Sequence, residues 1–230
     1  MPGEEVAGDE TDPRAQLAAR LRLLRSFTDF LPGPPAPPPP AETLEAIQAD
    51  LDGCTRCRLS EKRNSIVFGV GRPDADIMFI GEGPGRDEDR QGEPFVGRAG
   101  GLLTEMIEKC FHRRRPDVYI ANIVKCRPPD NRDPQADEVA TCLPFLKRQI
   151  ASVRPRVICL LGSVAVKALF PGTRGIGAAR GKVWEFAGIP VVPTFHPAYL
   201  LRAEGERLQQ LKLQVLDDAR VALGILGDGG

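Results

Sequence analysis

Two histidines are all that this 230-residue chain carries, and its 31 acids balance its 31 bases. A neutral total excludes nucleic-acid binding by bulk charge, so any such surface must be a local patch. Residues 1–40 hold six acids and four bases, which leaves 27 bases and 25 acids in the remainder. No apolar stretch approaches the roughly 20 residues of a membrane span. The opening MPGEEVAGDE lacks the basic and apolar regions of an export signal. The expectation is a cytoplasmic chain with no membrane contact. In a reducing cytosol, clustered cysteines among its six read as metal ligands or redox groups, not structural disulfides. A dinucleotide or triphosphate cradle is excluded as well, since the chain has neither G-x-G-x-x-G nor a P-loop lysine after GEGPG.

What is present falls into three parts. Residues 1–40 form an acidic arm, with an amphipathic pattern over 14–31 and the run PGPPAPPPP at 32–40. That arm reads either as a docking element for a protein partner or as a dispensable appendage. A domain is expected over 41–224, followed by a flexible tail at 225–230. Within the domain, apolar runs alternate with amphipathic ones. Strands are expected at 75–81, 117–126 and 156–162, with two short strands around Ala187-Gly188. Helices are expected after each run, and a closing helix at about 204–224. This alternation implies a parallel sheet between helix layers, with the site beyond the C-terminal strand ends. GEGPG, KCRPPDN and HPAYLLR all follow strands and would converge on one crevice.

Four cysteines stand in a pattern. Cys54 and Cys57 form C-x-x-C, and Cys126 and Cys142 are separated by 15 residues. Four thiolates suit a tetrahedral zinc or an iron–sulfur cubane, and spacing does not separate the two. Cys110 and Cys159 lie in apolar surroundings and read as core. Glu82, directly after a buried strand, is a candidate for water activation, whereas Asp87 and Asp89 read as a solvated turn. Phe95 is either a stacking platform or core, and His196 either catalytic or structural. Asn122 offers the donor and acceptor that suit a pyrimidine edge. Arg127 and Arg132, with Arg180 and Arg202, are candidates for a phosphate-tracking rim.

The segments GEGPGRDEDRQGEPFVGRAGGLL, IANIVKCRPPDNRDP and TFHPAYLLR, with the cysteine frame, resemble the family 4 uracil-DNA glycosylases, the iron–sulfur type. The likeness covers about residues 44–218. It implies a three-layer α/β/α sandwich with a central four-stranded parallel sheet. It implies a [4Fe–4S] cluster on Cys54, Cys57, Cys126 and Cys142. It implies that Glu82 and Gly83 line the pocket, that Phe95 stacks on uracil, and that Asn122 reads its edge. His196 would stabilise the departing base, and Tyr199-Leu200-Leu201 would wedge into the duplex. Glu88 and Asn131 match positions that are catalytic or in contact with substrate. The X-type relatives trap DNA through a histidine in an inserted loop, and CRPPDNRDP has neither, so covalent trapping is not expected.

The expected activity is flipping of uracil from single- or double-stranded DNA and hydrolysis of its N-glycosidic bond, without strand cleavage, by a monomer. The competing classes are a metal-stapled DNA-binding module without activity and an iron–sulfur redox protein.

Overall fold

Five consecutive apolar residues, Ile77–Gly81, have every side chain buried, which a strand achieves only in the interior of a sheet covered on both faces. The computed structural model describes residues 42–227, so the expectations for the arm at 1–40 fall outside the described residues. Among the described residues six strands form one sheet: β1 Val70–Gly71, β2 Ile77–Gly81, β3 Tyr119–Asn122, β4 Val157–Leu161, β5 Trp184–Phe186 and β6 Ile189–Thr194. Their order is β1-β3-β2-β4-β6-β5. The middle four are parallel, as expected, and each edge carries one short antiparallel strand.

The helices are α1 Leu44–Leu51, α2 Arg86–Gln91, α3 Arg98–Cys110, α4 Ala136–Val153, α5 Gly162–Leu169, α6 Ile176–Ala179, α7 Pro197–Leu200 and α8 Gly205–Leu226. Strand alternation sorts the core into two layers. Met78, Ile80, Tyr119, Ala121, Ile158 and Leu160 face one way and pack with Leu146 and Ile150 of α4 and Val166 of α5. Ile77, Phe79, Ile120, Val157, Cys159 and Leu161 face the other way and meet Leu103 and Ile107 of α3 and Ala219 and Ala222 of α8. The result is the three-layer α/β/α sandwich. Cys159, fully buried in the second layer, is core as expected. Among the described residues no helix is long and apolar enough to cross a membrane.

Three expectations need correction. The strand expected over 117–126 is regular only at Tyr119–Asn122. Beyond it the amides of Ile123 and Val124 still reach the carbonyls of Gly81 and Glu82, at 2.9 and 3.1 Å, but the chain then turns away to deliver Cys126. The acidic loop after β2 contains a helix, α2. Its Asp89 is not a solvated turn residue. It is fully buried and accepts from the Asn64 amide at 2.9 Å, the Asn64 side chain at 2.6 Å and the Ser65 amide at 3.2 Å.

Candidate active site

The parallel strands end in register. Gly81 pairs with Asn122, and Leu161 with Thr194, so Glu82, Asn122, Gly162 and His196 emerge along one edge. They line a cavity of about 1000 Å³ that also touches Gly83, Glu88, Phe95, Asn131, Arg180, Tyr199 and Arg202. Three separated segments therefore meet there, as their position after strands predicts. The contact is close enough to require glycine. A β-carbon on Gly81 would lie 2.5 Å from both Asn122 Oδ1 and Phe95 Cζ. One on Gly83 would lie 2.7 Å from Val124. Asn122 is 1% exposed, and its Oδ1 has no hydrogen-bond partner among the described residues. A buried acceptor left unpaired costs about 1–3 kcal/mol, a penalty that a ligand donor would remove.

His196 caps α7. Its Nδ1 accepts the Ala198 amide at 3.1 Å, so the proton of the neutral ring belongs on Nε2, leaving that atom a donor. Burial pushes its pKa down to about 4, helped by the nearby Arg202 cation. The imidazole is thus neutral at pH 7. Its ring lies 5.6 Å from that of Phe95, centroid to centroid. Close packing behind it comes from Gly162, where a β-carbon would stand 2.9 Å from His196 Cβ.

Glu82 is half-buried and makes no hydrogen bond or ion pair through its side chain among the described residues. Burial raises its pKa to about 7, and the Asp133 carboxylate adds to the rise. It is poised to take a proton near neutrality.

Glu88 has a different task. Its Oε1 accepts the amides of Val96 and Gly97, both at 2.9 Å, and its Oε2 accepts the Gly85 amide at 3.1 Å. The carboxylate thus caps α2 and clips the GEGPG loop to the EPFVG loop, with both oxygens occupied. The clip holds Phe95 in a left-handed backbone conformation, φ 55°, which is strained for an aromatic residue. Arg115 Nη2 adds a 2.7 Å bond to the Pro94 carbonyl. Gly100 lets α3 pass so close that a β-carbon would sit 1.9 Å from the Phe95 carbonyl oxygen.

The rim divides unevenly. Tyr199 and Leu201 are 38% and 41% exposed, but Leu200 is 3% exposed and packs with Met106, Phe195, Leu211 and Val215. Leu200 therefore packs inward beneath the exposed pair in this structure. Arg202 is exposed at the cavity mouth. Arg180 is not free for phosphate: it bonds Asp218 at 2.9 and 3.0 Å, reaches the Gln214 carbonyl at 2.6 Å and stacks 4.5 Å above the Phe195 ring. Arg132 is likewise committed to buried Glu138, at 2.8 and 2.6 Å. Arg127 Nε donates to Asn131 Oδ1 at 2.7 Å, which shapes the loop on which Asn131 meets the cavity. Sequence reading missed Arg207, whose Nη2 donates to Tyr199 Oη at 3.3 Å, and Asp133, which tunes Glu82. Asp133 was visible within a loop already singled out; Arg207 carries no motif.

The cysteines gather on the flank formed by the turn after α1, the loop after β3 and α4. None forms a disulfide. Cys126 Sγ accepts from Arg63 at 3.3 Å, and Cys142 Sγ from the Lys125 amide at 3.3 Å. Burial raises the Cys142 thiol to about 11, and the charges of Cys126 and Cys57 add to the rise. Cys126 is raised by burial and by the charges of Cys57 and Cys54. Cys126 thus feels the charges of Cys57 and Cys54, and Cys142 those of Cys126 and Cys57, with N–H donors aimed at Cys126 and Cys142. No three His, Cys, Asp or Glu side chains among the described residues converge tightly enough to hold one metal ion. Four thiolates match the ligand number of a cubane as well as that of a tetrahedral zinc.

Comparison with known proteins agrees with this geometry. Residues 68–220 match the family model described as the uracil DNA glycosylase superfamily. The Type-4 uracil-DNA glycosylase of Thermotoga maritima is 44% identical over 179 residues, 77% of this chain and 93% of the relative. The Type-4 enzymes of Sulfurisphaera tokodaii and Saccharolobus solfataricus are 45% and 46% identical, each over 166 residues, 69% of this chain and 76% and 77% of their own lengths.

Proposed function

The chain belongs to the uracil DNA glycosylase superfamily, and from that premise we propose that it removes uracil from DNA by hydrolysing the N-glycosidic bond, leaving an abasic site. The observation that carries the reading is the pocket floor. Asn122 holds a buried Oδ1, unpaired among the described residues, beside the Phe95 ring and the neutral His196.

A base within a duplex is out of reach, so the nucleotide is extruded first. Phe95 then offers a π-face worth about 1–3 kcal/mol to a stacked base. Asn122 Oδ1 accepts uracil N3–H, and the amide NH₂ donates to O4. Cytosine has no N3–H and carries an amine in place of O4, so both bonds are lost. Cleavage leaves negative charge on uracil O2, and the Nε2 proton of His196 stabilises it. Donors of this kind are worth about 2.7–4 kcal/mol. Glu82, titrating near 7, accepts the proton of the attacking water. Glu88 shapes the loop instead of reacting. Tyr199, Leu201 and Arg202 supply the DNA-facing rim, with Leu200 as its anchor. Arg127 and Asn131 support the loop at the opposite side, and Arg180 and Arg132 brace the walls.

Cys54, Cys57, Cys126 and Cys142 would hold a [4Fe–4S] cluster, which supplies a covalent cross-link between the α1 turn, the β3 loop and α4. Such a closed four-thiolate site is structural in this reading. The enzyme is taken to act as a monomer in the cytoplasm, on single- and double-stranded DNA. A binding module without activity, or an electron carrier, would have no use for Glu82, Asn122 and His196 on one cavity wall.

The deciding experiment treats single- and double-stranded oligonucleotides containing one uracil with purified protein, then alkali. Free uracil and a strand break only after alkali are expected. Failure to release uracil refutes the activity. Nicking without alkali refutes the water nucleophile.

A further inference from the structure

A lysine side chain with no exposed surface lies just behind the pocket. Lys125 is 0% exposed. Its Nζ donates to the Asn122 main-chain carbonyl at 2.9 Å and to Gln149 Oε1 at 2.5 Å. Gln149, also 0% exposed, is fixed in turn, since its Nε2 donates to the Phe68 carbonyl at 3.0 Å and to Tyr119 Oη at 3.2 Å. The Lys125 amide meets Cys142 Sγ, and its carbonyl accepts the Val67 amide at 2.8 Å.

Burying an amine costs several kcal/mol unless its bonds are good, and an apolar side chain of similar length would fill the space with less penalty. The fold alone therefore gives little reason for a lysine here. The local backbone does. Pairing of β1 with β3 stops at Ile120, two residues short of Asn122, and β3 itself ends at Asn122. The last residue of the strand is thus the one least held by the sheet on that side. It is also the residue whose carboxamide faces the pocket. A small rotation of its peptide would swing Oδ1 away from the base edge.

We propose that Lys125, braced by Gln149, is a positioning residue that fixes the Asn122 peptide and thereby sets the preference for uracil over cytosine. The Lys125 side chain does not touch the base. It acts through Asn122, and the inference rests on the uracil reading given above.

The test measures binding, with the intact full-length protein, to an oligonucleotide carrying a 2′-fluorinated deoxyuridine that resists cleavage. The matched oligonucleotide carries 2′-fluorinated deoxycytidine. Wild type, Lys125→Met, Asn122→Ala and the double variant are compared, with iron and sulfide content per chain measured for each. Loss of one well-made charged hydrogen bond predicts that Lys125→Met reduces the uracil preference by about tenfold. In the Asn122→Ala background the same change should have no further effect, because its route is already cut. Additive losses, or an unchanged preference in Lys125→Met, overturn the proposal, since a purely structural lysine would behave that way. If Lys125→Met does not yield folded protein with wild-type iron content, Gln149→Met serves instead. It leaves the lysine in place but removes its brace, and a preference reduced about threefold, again only when Asn122 is present, is expected. An unchanged preference there overturns the proposal equally. A wild-type protein without uracil preference would instead sink the functional reading itself.

Discussion

The base pocket and the cysteine flank sit on the same sandwich, yet they treat polar groups in opposite ways. On the flank, charges are matched. Arg148 holds Glu42 at 2.7 and 2.6 Å and also bonds Asp50, which Arg56 meets at 2.7 Å. Both guanidinium groups lie over the Phe145 ring, at 4.9 and 5.3 Å. Arg58 pairs with Asp137, and Arg132 with Glu138. In the pocket, polar groups are buried and left over. Asn122 Oδ1 lacks a partner among the described residues, Glu82 is pushed up to about 7, and His196 is pushed down to about 4. A region that satisfies its own groups is built to hold a shape. A region that strands them keeps a penalty for a ligand to relieve.

The sharpest way to break that contrast is to neutralise Glu82. In the proposed mechanism Glu82 accepts the water proton, so Glu82→Gln should lower single-turnover excision by about 10²–10⁴. The wild-type rate should fall as pH drops below about 7, where Glu82 becomes protonated, and the residual rate of the variant should lose that dependence. Stability should move the other way. A carboxyl raised in the folded state costs nothing below its unfolded value of 4.5, and the cost grows as pH rises through about 7. Glu82→Gln should therefore stabilise the protein at pH 8 by on the order of 1 kcal/mol, allowing for solvent screening, and leave it unchanged at pH 4. Thermal melts at both pH values check this. A variant that is slower but no more stable at pH 8 would mean that Glu82 is not a stranded group.

His196→Ala comes next. In the proposed mechanism His196 donates to the leaving oxygen, so its removal should cost about 10²–10³ in rate, with DNA affinity within about threefold of wild type because the side chain belongs to the pocket wall and not the rim. Single-turnover kinetics and equilibrium binding separate the two. Wild-type cleavage would remove the main chemical support for this crevice.

The layered fold was legible because strand and helix periods differ so plainly: IMFIG and VICLL are apolar throughout, whereas RAGGLLTEMIEKC alternates around a helix. The meeting of Glu82, Asn122 and His196 was legible for the same reason, since each follows a strand in a parallel sheet. What stayed hidden was the fate of each charge. Asp89, Glu88 and Arg180 look like ordinary solvated residues in one dimension. Their partners, Asn64, the Val96 and Gly97 amides, and Asp218, lie 25, 8 to 9 and 38 residues away, and composition carries no record of such pairs. The burial of Leu200 between exposed Tyr199 and Leu201 was hidden too, because exposure alternates residue by residue on a single turn.

Glu88→Ala tests whether the pocket's one well-satisfied acid belongs with the flank in kind. Three backbone amides lose their acceptor, and the clip on strained Phe95 is released. A loss of about 2–3 kcal/mol in stability is expected, and KM should rise more than kcat falls. Denaturant melts and steady-state kinetics read the two effects. A large fall in kcat with unchanged stability would return Glu88 to the chemistry.

The smallest effect is expected on the flank itself. Arg148 bridges α4 to Glu42 and to Asp50 of α1, more than ninety residues away in sequence, so a count of contacts would rank it high. Its partners are largely exposed, however, with side chains 40% and 37% accessible, and exposed pairs stabilise little even when several meet. Arg148→Ala should lower Tm by about 2–4 °C and leave kcat/KM unchanged. The hydrogen bonds from Arg148 hold Glu42 and Asp50 below the usual carboxylate range. Their contribution is therefore present above the unfolded values of 4.5 and 3.8 and fades as pH falls below them. The Tm difference between variant and wild type should accordingly shrink between pH 6 and pH 3, and shrink with added salt. Should Arg148→Ala instead abolish excision while iron content and Tm hold, the flank would be reaching into the chemistry, and the division between a region that holds its shape and one that waits for a base would fail.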